Sequence, residues 1–544
     1  MNLRSFAVCF LLAFSSLSLF ADDDHHHGTD PNEKLGSVSF PISCAADVQK
    51  PFERGVALMH SFEYEPAENA FKEVAAHDPQ CAMAYWGQAM SIFHSLWTRL
   101  HKEELAKGRA LLEKAKAAEN QANAQGRPTS ERERDYIKAL TVLYRQPDDL
   151  DNRERVDAYA VAMQGVHERN PKDREAAIFY ALALLGSGPD HDPTHANGRK
   201  AVAILDKLYD QQPDHPGIAH YIIHACDNPA MASLGLAAAR KYAAIAPSSP
   251  HAVHMPSHIF ARLGLWQESI ASNTAALRAA DKMAGMKLHT MHHRMHSMDF
   301  LQYAYLQIGD DANAKRMYDM MAKYNRAEIE SDYQDYYDDM LTSFAALYAI
   351  ERKQWKEALA LPTLSTAKPN IQLVTFWAHA VAAGHLHDAA AAQDAQKTYL
   401  ALTEEARKGP RPYILDNLKN EREEVQAWVA YAEGKTDEAM RILRTVADRQ
   451  DKVGKAEVEI PAREMLADML LETNHPKEAL AEYEVALQTD PNRFNELSGA
   501  AQAAEKLNQK DKASGYYAQL LKNCQGIDSD RPELVKAKTL VAAK

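Results

Sequence analysis

Near the C-terminus, Ala479, Tyr483 and Ala486 recur 34 residues later as Ala513, Tyr517 and Leu520. The same step separates Ala201, Gly235 and Ser269. From Cys44 onward the apolar residues follow helical spacing in segments rich in Ala, Leu, Glu and Lys, and alternating β-branched runs are nearly absent. A helical unit of this length holds two short antiparallel helices. It cannot bury its apolar face alone, so neighbouring units must stack. The period therefore dictates an all-α fold, an α-solenoid of stacked antiparallel helix pairs.

The pattern resembles the tetratricopeptide (TPR) repeat. Gly55, Ala67, Phe71 and Pro79 carry the spacing of that family's positions 8, 20, 24 and 32. Ala479, Tyr483, Ala486 and Pro491 fit positions 20, 24, 27 and 32. Small residues at positions 8 and 20 let paired helices approach closely, and position 24 fills the gap. Position 20 also falls at Ala67, Ala314 and Ala358, with less regular matches at Ala110, Tyr159, Ala389 and Ala439. The histidine segments described below further resemble those of exported bacterial TPR proteins, a likeness that speaks to fold and location more than to activity.

The first 21 residues read as a secretory signal, with Arg4 ahead of an apolar run from Phe6 to Phe20 and Ala21 before the cut. The mature chain is expected to be exported, periplasmic or secreted. Residues 22–43 are acidic and Pro/Gly-punctuated, and read as a disordered leader whose run His25-His26-His27 is solvated polarity. A solenoid over 44–407 and further TPR-like repeats over 413–544 follow, divided by the break at Lys408 to Pro412. A net charge of −13 argues against a nucleic-acid partner, and no later run is long enough to span a membrane.

The histidines concentrate between His215 and His296. His251, His254 and His258 stand at i, i+3 and i+7 and so share a helical stripe. His220, His224 and Asp227 precede them, and His296, Asp299 and Tyr303 follow. In the repeat register the three sets fall at equivalent positions of three consecutive first helices. The TPR resemblance implies that these positions line the concave groove, with Arg262, Tyr303 and Gln307 as further ligand contacts. Histidine with carboxylate is the ligand set of zinc and suits copper as well. At least one quartet of these donors is expected to fit a single ion, with two ions, or one ion and spare histidines orienting it, as the options. Met286, Met291, Met295 and Met298 interleave with His289, His292, His293 and His296, which suits copper or simply fills irregular packing. His60 and Glu63 read as a solvated helix-end pair, and His293 as lying outside the groove register.

Three functions fit these residues. One is an exported binding protein that holds a transition metal, zinc or copper, or a ligand through that metal. Another is a metal-free scaffold whose histidines contact a protein, peptide or small ligand. The third is a metal-dependent hydrolase with Asp227 as base. The sequence contains no nucleophile elbow, phosphate loop or HExxH motif, so binding is favoured over catalysis. Cys44 precedes the first repeat and Cys81 opens the second, where first helices start side by side. The two are expected within disulfide reach, with Cys226 a buried thiol.

Overall fold

The computed structural model describes residues 32–96, 100–145, 151–188, 192–285, 290–409, 415, 418–453, 455–456 and 458–542. The expected signal segment, the His25-His26-His27 run, Met286 and His289 lie outside the described residues, as does most of the Gly-Pro-Arg-Pro break. Among the described residues there is no strand, and helix follows helix from Gln49–His60 to Pro532–Ala542. Each helix packs on the next in sequence, and the first helices of neighbouring pairs also touch, as Gln49–His60 does Ala82–Ile92. None is long and apolar enough to cross a membrane.

The repeat chemistry accounts for the stacking. Phe71, fully buried, lies between Gly55 of its own pair and Gly87 of the next. A Cβ would come 2.8 Å from its ring at Gly55 and 2.5 Å at Gly87. Only a bare backbone leaves room there, so both glycines are packing residues. The register holds where the helices pair closely: Ala67, Ala201, Ala314, Ala358, Ala439 and Ala479 are all fully buried. It fails at Ala110, which is exposed, and at Ala389, where Ala392 takes the buried place.

Two expectations about boundaries need correction. The fold begins at Lys34, not Cys44. The segment before Cys44 is extended and packed: Phe40 is fully buried and its ring meets Phe52, Trp86, Tyr136 and Phe179. Ser37 donates its N–H to the Asp214 carbonyl at 2.9 Å. One large aromatic side chain in a pocket built by four helices outweighs the polar composition around it. Nor do 44–407 and 413–544 separate, because Lys34–Lys544 is one unit. Helix Phe494–Lys506 folds back on helix Met291–Gln307. Buried Arg493 pairs there with Glu351 and Glu464, both at 2.8 Å. Trp266 Nε1 donates to the Asn492 carbonyl at 2.9 Å. Cys44 and Cys81 are joined by a disulfide with Cα atoms 5.1 Å apart. Cys226 is a buried free thiol, its pKa pushed up to about 12 by burial and the neighbouring Asp206 and Asp227 carboxylates.

Candidate metal centre

Three consecutive first helices carry the histidines: Pro216–Cys226, the bent pair Pro250–His254 and Pro256–Arg262, and Met291–Gln307. Proline opens the first three of these segments, where its missing N–H costs nothing. Ser249 caps the second by accepting the Ala252 N–H at 3.1 Å. Pro256 then removes a helical donor in mid-course. Met255 stays in the right-handed region at φ −51°, ψ −36°, so the chain bends without unwinding.

The expected stripe divides here. His251 turns toward the preceding helix, and its Nε2 lies 3.1 Å from His220 Nε2, which is 3.0 Å from His224 Nε2. His254 and His258 turn the other way. Their Nε2 atoms are 3.0 Å apart, and the His296 ring is 4.4 Å from that of His254. The donors thus form two trios, His220/His224/His251 and His254/His258/His296, each with one ligand atom per residue within 4.8 Å of the others. The expected quartet does not form among the described residues. The trios adjoin, with ring centroids 6.3 Å apart for His251 and His254 and 6.4 Å for His224 and His258.

The outer nitrogens decide what the inner ones can do. His220 Nδ1 donates to the His60 carbonyl at 2.6 Å, one of the orphan carbonyls ending helix Gln49–His60. His254 Nδ1 donates to Asn273 Oδ1 at 2.6 Å, and the Asn273 amide donates to the Ser269 carbonyl at 2.9 Å, which fixes the end that faces the ring. His258 Nδ1 donates to Asp227 Oδ2 at 2.9 Å, and the other Asp227 oxygen accepts from Arg262 Nε at 3.0 Å. A neutral imidazole has one N–H, here spent on Nδ1, so each Nε2 offers a lone pair. In the second trio two lone pairs meet at 3.0 Å, and a proton or a metal ion must lie between them. Burial, reinforced by His296 and His258, holds His254 well below the usual imidazole range, so a proton shared there would sit on His258, which faces Asp227 at 2.9 Å. Burial also lowers His251, with His220 and His224 adding to it, and pushes His220 down to about 3. Zinc and copper take neutral imidazoles at about 2 Å.

Around the trios, Phe62 contacts all three rings of the first and Phe300 all three of the second. A cavity of about 1010 Å³ opens beside them, lined by His224, Asp227, Arg262 and Asp299 on one side and Glu421 and Glu424 on the other. Asp299 joins neither trio. Tyr303 and Gln307 do not line the cavity. Tyr303, buried, donates to the Glu459 carbonyl at 3.1 Å, and Gln307 Oε1 accepts the Phe494 N–H at 3.0 Å, so both hold the returning C-terminal repeats. Met295 and Met298 are fully buried in packing. His293 lies closer than its register suggested, 6.3 Å from the His251 ring and 3.3 Å from Glu63.

A third cluster was missed. His60 is fully buried, not solvated, and its Nε2 lies 2.9 Å from Glu175, whose other oxygen is 2.8 Å from His215 Nε2. His60 Nδ1 meets the Tyr221 hydroxyl at 2.8 Å. Burial pushes the Glu175 carboxyl up, but His215 and His60 together outweigh it and bring it to about 2. Glu63 is likewise buried, accepting from Ser249 Oγ at 2.6 Å. Nothing local in the sequence marks this cluster, because Glu175 is 115 residues from His60.

No family model matches the chain, and no curated protein does. Among solved structures, it is similar to the APC/C hetero-tetramer Cut9-Hcn1 at 14% identity, covering 87% of this chain and 78% of that one with a TM-score of 0.33. It is similar to a monomeric mutant of IFIT1 with m7Gppp-AAAA at 12% identity, covering 88% and 99%, with a TM-score of 0.35. The P58(IPK) TPR domain matches at 14% identity over 92% and 99%, with a TM-score of 0.20. Likenesses this distant place the chain in no family. The all-α solenoid rests on its own helices.

Proposed function

We propose that the chain is an exported solenoid that binds a transition metal, zinc or copper, through its two histidine trios, and can hold a small ligand through that metal. The observation that carries this reading is the convergence of three imidazoles in each trio, with His220, His254 and His258 donating outward from Nδ1 to fixed oxygens. Coordination of an ion by the inward-facing nitrogens satisfies that arrangement at both trios. The disulfide between Cys44 and Cys81 supports an oxidising compartment. The metal-free scaffold is less favoured because the imidazoles turn toward one another, and of the six only His224 lines the cavity. A hydrolase is less favoured because Asp227, its candidate base, is engaged by His258 and Arg262. The test is metal analysis of protein purified without a His tag, before and after chelation and reloading. Bound zinc or copper that His254→Ala loses supports the reading. Absence of metal from the wild type after reloading overturns it.

A further inference from the structure

The two trios are near copies. Each has three imidazoles, each is backed by one phenylalanine ring, and the trios are in ring contact with one another. Their ligand atoms are all imidazole nitrogens, which are neutral when they coordinate. The carboxylates beside them include Asp227, which Arg262 offsets at 3.0 Å, Asp299, and Glu63, which His293 faces at 3.3 Å. Two divalent cations would far exceed the negative charge those residues supply, and uncompensated charge in a largely buried site is costly.

The missing charge has a route in. His224 of the first trio and Asp299 beside the second both line the cavity of about 1010 Å³. That volume suits a small molecule. The far wall also carries Lys419, Arg449 and Lys455. Burial, with Glu459 nearby, raises Glu424 to about 8, and burial raises Glu421 to about 7, so near neutral pH the first is mostly protonated and the second about half.

We propose that the two trios load as one dinuclear centre and that the centre takes a small oxyanion or carboxylate from the cavity as its remaining ligand. This rests on the metal-binding reading above. The test uses the tag-free chain, stripped with chelator and titrated with Co²⁺, whose visible absorption reports its coordination. Two equivalents are expected in the wild type, and one in each of His224→Ala and His258→Ala, with thermal unfolding confirming that both variants fold. Acetate and phosphate are then added separately to the loaded protein and, by calorimetry, to the metal-free protein. Either anion should change the cobalt spectrum at millimolar concentration while leaving the metal-free chain unbound. A response to acetate alone assigns a carboxylate ligand, and to phosphate alone a phosphoryl oxyanion. A single equivalent in the wild type, or two with no response to either anion, overturns the dinuclear proposal and leaves metal binding intact. Zero equivalents overturns both.

Discussion

Among the described residues three groups of possible metal ligands bring histidines together, and they differ in one respect. At His60, Glu175 and His215, a carboxylate stands between the imidazoles and accepts a hydrogen bond from each, at 2.9 and 2.8 Å. The polar atoms between the rings are thereby satisfied. In the other two, imidazole faces imidazole, with protons directed outward at His220, His254 and His258. Proximity alone does not make a metal site. What separates a structural clamp from a coordination site is whether the inward-facing atoms already share a proton.

Removing the clamp's carboxylate should have the largest effect. Glu175→Ala deletes two charge-assisted hydrogen bonds in a fully buried place, and should cost about 3–5 kcal/mol of stability in denaturant unfolding. If that variant keeps wild-type stability but loses metal, the clamp is a ligand set and the contrast fails.

The converse substitution is His258→Ala. Measured without metal, its unfolding free energy should change by about 1 kcal/mol or less, because His258 is half-buried and its removal relieves facing lone pairs. Bound metal should fall by one equivalent. A loss of several kcal/mol in the metal-free protein would make His258 structural.

The acid and base limbs of stability sharpen the contrast further. His220 is held at about 3, so between its ordinary 6.5 and about 3 the unfolded chain binds the proton that the fold refuses. Stability of the metal-free protein should therefore fall as pH drops through that window. Glu424 acts in the opposite sense. Its folded pKa is about 8, so its contribution is full below about 4.5 and lost as pH rises through 8. Glu424→Gln, which keeps an acceptor for Trp377 Nε1, should flatten that alkaline decline and leave the acid limb unchanged. Equal slopes in mutant and wild type from pH 5 to 9 would contradict this.

The smallest effect is expected at Asn273. Asn273→Ala removes the oxygen that fixes the His254 tautomer, and should weaken metal binding by about 10-fold with both equivalents still bound. An unchanged affinity would show that the outer hydrogen bond does not matter.

Much of this was legible in the sequence, for particular reasons. The helix pairs follow from the 34-residue step and from residues such as Phe71 and Gly55. The candidate ligands followed from repeat register, since His220, His254 and His296 occupy related places on successive helices. What register could not supply was that His251 and His254, three residues apart around the helix break at Pro256, join different trios. Nor could it supply contacts made by winding. Phe40 reaching Phe179, His60 reaching Glu175 and Tyr303 reaching Glu459 depend on how far the superhelix turns, which accumulates from small rotations at every repeat. Arg262 and Gln307 show the same limit: the first supports His258 through Asp227 and the second braces a distant helix.

The return of the C-terminal repeats onto the middle of the chain also sets an order in time. Every residue of the two trios lies before residue 300, whereas the contacts that roof them, Arg262 to the Lys455 carbonyl and Tyr303 to the Glu459 carbonyl, await a segment made much later. Closing so long a loop is slow compared with pairing neighbouring helices. A growing chain would therefore complete its histidine face first and cover it afterwards, so an ion that arrives early is enclosed by the last part of the molecule to fold.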